Sequence, residues 1–259
     1  MSGSQCREQR PIASLPGYRR ILRVEPEEGA VLALLEDDLH CMAVRLRHDG
    51  ATVLAVEPLM DRVPWSVCPG AVEVLKTTFT GVPLAEVSPR REKQANCTHL
   101  HDLAVIAAAH ALDRGPLEYH IFVSDPREVD GETRRDLEIR REGRVLHHWI
   151  ERAGKFAEPA SLAGLTPLTM RDWIAGLEGE AQEAARLLQW ASLVAHGRSM
   201  TDERRRAALA TRPNCFTMQP ERVERARMVS GMHDFSAGGR QPLEGLHDRF
   251  EDAYGPEAG

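Results

Sequence analysis

The sequence predicts an α+β fold in which a mainly antiparallel sheet packs against helices and a helical region forms the C-terminal part. Three observations support this prediction. Short apolar segments with strand composition alternate with tight turn signals over residues 19–58 and again after Pro116. Between these two groups, the segment 98–114 has helical spacing with clear end signals, and helical spacing dominates after Ala157.

The predicted strands are short and lie next to turn residues. They cover residues 19–24, 30–36, 39–47, 51–58, 117–123, 133–140 and 144–150. Glu28-Gly29, His48-Asp49-Gly50 and Arg141-Glu142-Gly143 are typical of hairpin turns. Because parallel strands need long crossover connections, these short connections predict antiparallel pairing.

The predicted helices cover residues 69–80, 98–114, 169–176, 178–196 and 201–211. The segment 98–114 is the best marked, because Thr98 can cap its N-terminus and Gly115-Pro116 ends it. Pro69 suits the first turn of the helix that it begins. Thr201 can cap the last predicted helix.

We expect the chain to divide into four segments. They are a disordered lead-in over 1–16, an antiparallel α+β core over 17–157, a helical region over 158–250 and a tail over 251–259. The lead-in is rich in Ser, Gln, Arg and Pro, a composition common in disordered termini. The helical region is expected to pack on the core rather than to fold independently.

Composition and charge argue against several functions. The net charge of -6 and the aromatic content of 5% oppose nucleic-acid binding through a basic surface or a stacking platform. No apolar run approaches the ~20 residues of a membrane span, and the N-terminus has no apolar signal-peptide core. Five widely spaced cysteines without a CxxC pair predict free thiols. We therefore expect a cytoplasmic protein without membrane contact.

Fingerprints of nucleotide binding, serine hydrolysis and zinc proteolysis are missing from the sequence, since GxGxxG, GxxxxGK[ST], GxSxG and HExxH do not occur. The leading interpretation therefore has no cofactor and no bound metal. The expected partner is a small molecule, and a homo-oligomer is left open.

The segment Asn96–Asp102, at the start of the best-marked helix, concentrates reactive side chains. Cys97 just outside the cap could be a thiolate nucleophile, because a helix N-terminus lowers a thiol pKa. His99 or His101 could act as a general acid or base. Residues two apart in a helix point about 200° from each other, so both histidines reach one site only if this segment is extended. An extended HxH pair could instead bind a metal, or the histidines could be structural.

A second candidate group lies in the loop before the helix 69–80. Arg62 could hold a substrate carboxylate, Trp65 could stack on a planar ring, and Cys68 is another thiol at a helix start. The alternative is a buried Trp65 with Arg62 paired to a nearby acid. Trp149 is a further candidate to flank a ring.

His40 lies in a predicted strand, next to Cys41 on the opposite face. It could join the other histidines on the inner face, or lie at the strand's edge. In the poorly patterned C-terminal region, residues 214–218 and 233–235 could form a lid or pocket wall, or simply pack between regions.

Three segments together resemble a bacterial domain-of-unknown-function family, DUF2889-like. They are Leu39-His40-Cys41, Arg62-Val63-Pro64-Trp65 with the following Cys68-Pro69-Gly70-Ala71, and Cys97-Thr98-His99-Leu100-His101-Asp102-Leu103. The resemblance covers roughly residues 18–150. It implies that Cys68, Cys97 and His99 act together, and it suggests small-molecule metabolism of aromatic compounds.

The leading hypothesis is an enzyme that acts on a small aromatic substrate by proton transfer. A lyase reaction, either retro-aldol cleavage or elimination, fits an imidazole base from His99 or His101, with Arg62 holding an anionic group. The second hypothesis is a metal-dependent enzyme using His99 and His101, completed by His40 or Cys97. The third is a ligand-binding or scaffold protein without catalysis.

Overall fold

The structure, a computed structural model, describes residues 12–90, 92–209 and 213–255. Within these residues, nine strands form one antiparallel sheet with the path β4-β3-β2-β1-β5-β7-β8-β9, and β6 pairs with β7. The strands are β1 Gly17–Glu27, β2 Ala30–Asp37, β3 Cys41–His48, β4 Val53–Arg62, β5 Leu117–Ser124, β6 Arg127–Val129, β7 Glu132–Arg141, β8 Arg144–Arg152 and β9 Lys155–Glu158.

The described helices are α1 Ala71–Phe79, α2 Leu84–Val87, α3 Thr98–Ala109, α4 Arg171–Ala175, α5 Gly179–Ala195, α6 Asp202–Leu209, α7 Pro220–Val223 and α8 Leu246–Tyr254. Helix α3 packs on β2 and β3, α1 packs on β4, and α5 packs on β5, β7 and β8. These three helices cover one face of the sheet and enclose the main core with it. The α+β fold, with a mainly antiparallel sheet packed against helices, is confirmed.

The strand β2 is buried on both faces of the sheet, which explains its uninterrupted apolar run. Side chains alternate along a strand, so Val31, Ala33 and Leu35 belong to the main core. Leu32 and Leu34 point to the opposite face and pack beneath α8. A strand with only one covered face would instead alternate apolar and polar residues.

Helix α8 supplies the cover on this second face. Its Leu246 and Phe250 are fully buried, and the Tyr254 hydroxyl donates a hydrogen bond to the Pro58 carbonyl at 2.8 Å. Residues 251–254 are therefore part of a packed helix, and the prediction that they belong to a tail was wrong. An apolar stripe on a nine-residue helix is too short a pattern to distinguish packing from a frayed end.

Several element boundaries differ from the predicted ones. Helix α3 ends at Ala109 because the following residues form a turn, in which the His110 ring meets Asp113 at 2.7 Å. Strands β6 and β9 were not predicted, since each has four residues or fewer. Ile12–Ser14 of the predicted lead-in form a short 3-10 helix. The rest of that lead-in up to residue 11, residues 210–211 of the last predicted helix, and residues 256–259 of the tail lie outside the described residues.

In the part of the chain that the structure describes, no helix combines the length and apolarity needed to span a bilayer.

A polar contact joins the C-terminal end of α3 to α5. The Nε2 atom of His110 lies 3.0 Å from a carboxylate oxygen of Glu183, which also accepts a hydrogen bond from the Tyr119 hydroxyl at 2.7 Å. Burial opposes the charged imidazole, but hydrogen bonds and charge attraction from Glu183 and Asp113 outweigh it and raise the pKa of His110. This contact fixes the spacing of the two helices that enclose the main core.

We predict that this contact makes stability depend on pH. Because the folded-state pKa of His110 is raised above its unfolded value of about 6.5, the added stability is fully present below that pH and is lost as pH rises through the folded pKa. His110→Asn should lower the free energy of unfolding by on the order of 1 kcal/mol at pH 6 and by less at pH 9, measured by urea titration. An equal loss at both pH values would contradict this. His120→Asn, at an exposed histidine, is the control.

Candidate functional site

A buried ion pair between neighbouring strands lies at the base of the site. Arg20 of β1 and Asp37 of β2 are directly opposite each other in the strand register. The Arg20 Nε and Nη2 atoms donate to one oxygen of Asp37 at 3.0 and 2.6 Å, and the Tyr18 hydroxyl donates to the same oxygen at 2.7 Å. All three side chains are essentially inaccessible to solvent. The pair lies on the helix-covered face of the sheet.

The second oxygen of Asp37 shapes the turn between β2 and β3. It accepts the backbone N–H groups of Leu39 and His40, each at 2.8 Å, and it lies 3.1 Å from the His40 Nδ1 atom. An aspartate that binds the backbone two residues later forms an Asx turn. His40 therefore lies in the turn before β3, which begins at Cys41, and not within the strand as predicted.

Asp37 is held in its charged form. Burial opposes ionisation, but the nearby His40 and Arg20 charges and the hydrogen bond from His40 keep the pKa of Asp37 well below its ordinary value. A carboxylate accepts and does not donate, so the His40 Nδ1 atom carries the hydrogen of their contact. The Nε2 atom of His40 makes no hydrogen bond within the described residues, and the residue lines a large cavity.

His99, in the first turn of α3, stacks on this imidazole. The His40 and His99 ring centroids are 3.7 Å apart with an interplanar angle of 28°. The Arg20 Nη2 atom lies 3.4 Å from the His99 Nε2 atom. Trp190 of α5 closes the group, because its ring is 5.0 Å from His99 and 4.2 Å from the Arg20 guanidinium. The predicted approach of His40 to the other histidines on the inner face is thus observed.

The environment keeps His99 neutral. Burial disfavours the charged ring, and the positive His40 and Arg20 groups add to this effect, so the pKa of His99 lies well below its ordinary value. Since guanidinium only donates hydrogen bonds, the His99 Nε2 atom acts as acceptor and Nδ1 carries the ring proton. The site therefore holds a carboxylate-backed imidazole and a neutral imidazole in contact.

The cavity that His40 and His99 face has a volume of about 1240 Å³. This volume exceeds that of most sites for drug-sized ligands, roughly 300–1,000 Å³. Its walls come from the β2–β3 turn, the N-terminus of α3, the loop before α1, helix α5 and the C-terminal region. Its large apolar lining residues include Met42, Trp65, Trp190, Phe216, Met218 and Met228.

The C-terminal region forms one wall through backbone hydrogen bonds. Phe216 donates to the Asn96 carbonyl just before α3, at 2.8 Å. Ser66 donates to the Arg227 carbonyl at 2.8 Å, and Val229 donates to the Pro64 carbonyl at 3.0 Å. Residues 214–218 line the cavity as a pocket wall, one of the two alternatives that the sequence left open. Residues 233–235 do not line it.

His101 lines the same cavity as His99, although both belong to the first turn of α3. The prediction that two helical histidines at this spacing cannot face one site was therefore wrong. The two rings do point in different directions, since His101 packs against Phe79 with centroids 5.2 Å apart. The cavity is wide enough to surround the first turn, so both rings reach it.

The cysteines at the cavity are buried thiols. Cys97 is the N-cap residue of α3, and Cys68 lies with its sulfur 3.2 Å from the Thr217 hydroxyl. Burial raises the pKa of the Cys97 thiol well above its ordinary value and also raises that of Cys68. Burial thus outweighs the helix N-terminus, and the geometry does not favour the predicted thiolate nucleophile.

Two predicted substrate-binding residues are outside the lining. Arg62 binds the Asp37 and Asp38 carbonyls at 2.6 and 3.0 Å and pairs with Glu36 at 3.2 Å, so its guanidinium braces the β2–β3 turn. Trp149 is fully buried in another part of the core, where its ring packs against Phe156 and Trp173. Trp65 does line the cavity, as predicted.

The sequence interpretation missed four residues of the site: Tyr18, Arg20, Asp37 and Trp190. One signal was available. Strand alternation places Arg20 on the same face as the buried Leu22, and an arginine at a core position of a strand requires a buried partner. Nothing in the sequence alone identifies that partner as Asp37 before the strand register is known.

One group of possible metal ligands occurs among the described residues. Single ligand atoms of Asp37, His40 and His99 lie within 4.8 Å of one another. Both Asp37 oxygens, however, already accept several hydrogen bonds, and the Arg20 guanidinium contacts His99. A cation there would displace these donors and meet a buried positive charge. His101, the other half of the predicted metal pair, is not part of the group.

The fold and site define an α+β protein with a carboxylate-backed histidine at a large, mostly apolar cavity. Residues 25–113 match the model of a family described as protein of unknown function (DUF2889). The resemblance found in the sequence is confirmed over this segment, which is about a third of the chain and includes His40, His99 and His101. No curated protein and no solved structure matches the chain significantly.

We predict that His99 does not titrate near neutral pH. Its ring should keep the neutral form with Nδ1 protonated from pH 8 down past the ordinary imidazole pKa of about 6.5. Long-range ¹H–¹⁵N NMR spectra of the imidazole rings would show this directly, with exposed His120 as the titrating reference. A midpoint for His99 at or above that of His120 would contradict the assignment.

Proposed function

We propose that this protein is an enzyme that binds a small aromatic molecule in the cavity and acts on it by proton transfer, with His40 as the general base. The observation that carries the proposal is the Asp37–His40 pair. The carboxylate fixes the ring orientation and tautomer of His40, and the remaining Nε2 atom belongs to a ring that lines the cavity. A carboxylate that supports an imidazole also stabilises the imidazolium formed when the base takes a proton.

The reaction class that we propose is a lyase reaction without a nucleotide. In a retro-aldol cleavage, His40 takes a hydroxyl proton, the neighbouring C–C bond breaks to leave a carbonyl product, and the bonding electron pair passes to the other carbon. The aromatic ring delocalises that charge until the carbon is protonated. In an elimination, the base takes a carbon-bound proton as the leaving group departs. Neutral His99 can donate a hydrogen bond from Nδ1 to the developing oxyanion.

The cavity lining supports an aromatic substrate. Trp65, Trp190 and Phe216 provide flat apolar surfaces, and three methionines provide polarisable side chains that adapt to ring shapes. The four described cysteines are free thiols, in keeping with our proposal of a cytoplasmic location.

We predict that His40→Asn lowers kcat about 100-fold or more, because it removes the base while keeping a polar side chain of similar size. The assay would offer aromatic compounds with a hydroxylated side chain and detect a released aldehyde or an alkene by mass spectrometry. His120→Asn is the matched control, since that exposed histidine is outside the cavity lining. Turnover by His40→Asn at the control rate would remove His40 from the mechanism.

A metal-dependent enzyme is the second candidate, favoured by the grouping of Asp37, His40 and His99. We expect that Zn²⁺ in tenfold excess does not raise the melting temperature and that chelation does not lower turnover, because Arg20 opposes a cation at this point. A rise of several degrees with Zn²⁺ that His99→Phe abolishes would instead support the metal site.

A further inference from the structure

The N-terminus of α3 leaves donor groups without partners at the cavity wall. The first N–H groups of any helix have no partner within the helix. In α3 no side chain caps them, and Cys97 and Thr98 at this end line the cavity. A helix N-terminus of this kind favours a negatively charged group.

His101 adds an independent observation at the same place. It is only 4% exposed, it lines the cavity, and neither of its ring nitrogens has a hydrogen-bond partner. Its Nδ1 atom lies 3.6 Å from an Asp102 oxygen, which is too long for a hydrogen bond. Buried polar atoms in folded proteins nearly always have a partner, so this ring is suited to one supplied by a ligand.

The charges around the cavity have one sign. Among the described lining residues, Arg90, Lys93 and Arg205 are cationic, and none is an aspartate or glutamate. The acidic partners of these cations, Glu92, Asp102 and Asp202, are outside the lining. The wall thus presents positive charge to a ligand in a chain whose net charge is -6.

We infer that His101 and the N-terminus of α3 form a subsite for the carboxylate of an anionic aromatic substrate. The inference names the substrate class of the proposed enzyme and therefore rests on that proposal. His99 and His101 project from opposite sides of one helical turn, so the carboxylate is bound roughly 10 Å from the His40–His99 pair. A carboxylate there binds outside the reacting bonds and orients the molecule.

The test is isothermal titration calorimetry with 3-phenylpropionate and its neutral analogue 3-phenylpropanamide. The wild-type protein should bind the carboxylate about tenfold more tightly than the amide, as expected for a charge-assisted hydrogen bond. His101→Leu should abolish this preference while keeping affinity for the amide, which also shows that the variant is folded. His101→Gln keeps a donor and should retain part of the preference.

The matched control is His196→Asn. His196 also lines the cavity, but its Nδ1 atom is already 2.6 Å from the Ser192 carbonyl, so this variant should keep the wild-type preference. Equal binding of the two probes by the wild type, no binding of either at millimolar concentration, or an unchanged preference in His101→Leu would overturn the inference. Because binding needs no turnover, a preference that persists in an inactive protein would defeat the proposed function alone.

Discussion

The buried ion pair between Arg20 and Asp37 is the interaction on which the rest of the site depends. Such a pair adds little net stability, because desolvation offsets most of the attraction, but removal of one partner typically costs 3–5 kcal/mol. Here the pair also fixes geometry. Asp37 orients His40 and shapes the β2–β3 turn, while Arg20 contacts His99 and lies over Trp190. One carboxylate thus couples strand register to the placement of both imidazoles.

The two histidines meet because a helix and a hairpin pack together. His40 comes from the turn between β2 and β3, and α3 packs on those same two strands. The N-terminus of α3 therefore lies over the turn, and the His40–His99 stack forms at the point of contact. Rigid elements on both sides hold the rings, which favours a defined geometry over a mobile loop site.

Most of the fold could be predicted from the sequence, and less of the site. Seven of the nine described strands were predicted, because alternation and glycine turns are local signals. Helix α8 was missed, since its apolar stripe has meaning only against the far face of the sheet. Arg62 was assigned to substrate because a loop arginine beside Trp65 fits a binding role, whereas the structure uses it to brace a turn. Asp37 was missed because its role depends on a partner 17 residues away in sequence.

The cavity separates reacting groups from walls along the chain. His40, His99 and His101 lie within the segment matched by the family model, whereas Trp190 and residues 214–218 lie beyond it. The wall from the C-terminal region is attached mainly through backbone hydrogen bonds, which depend little on side-chain identity. Its side chains can therefore diverge between relatives without disturbing the histidine pair. Proteins that share residues 25–113 are expected to keep one chemistry while accepting substrates of different shape.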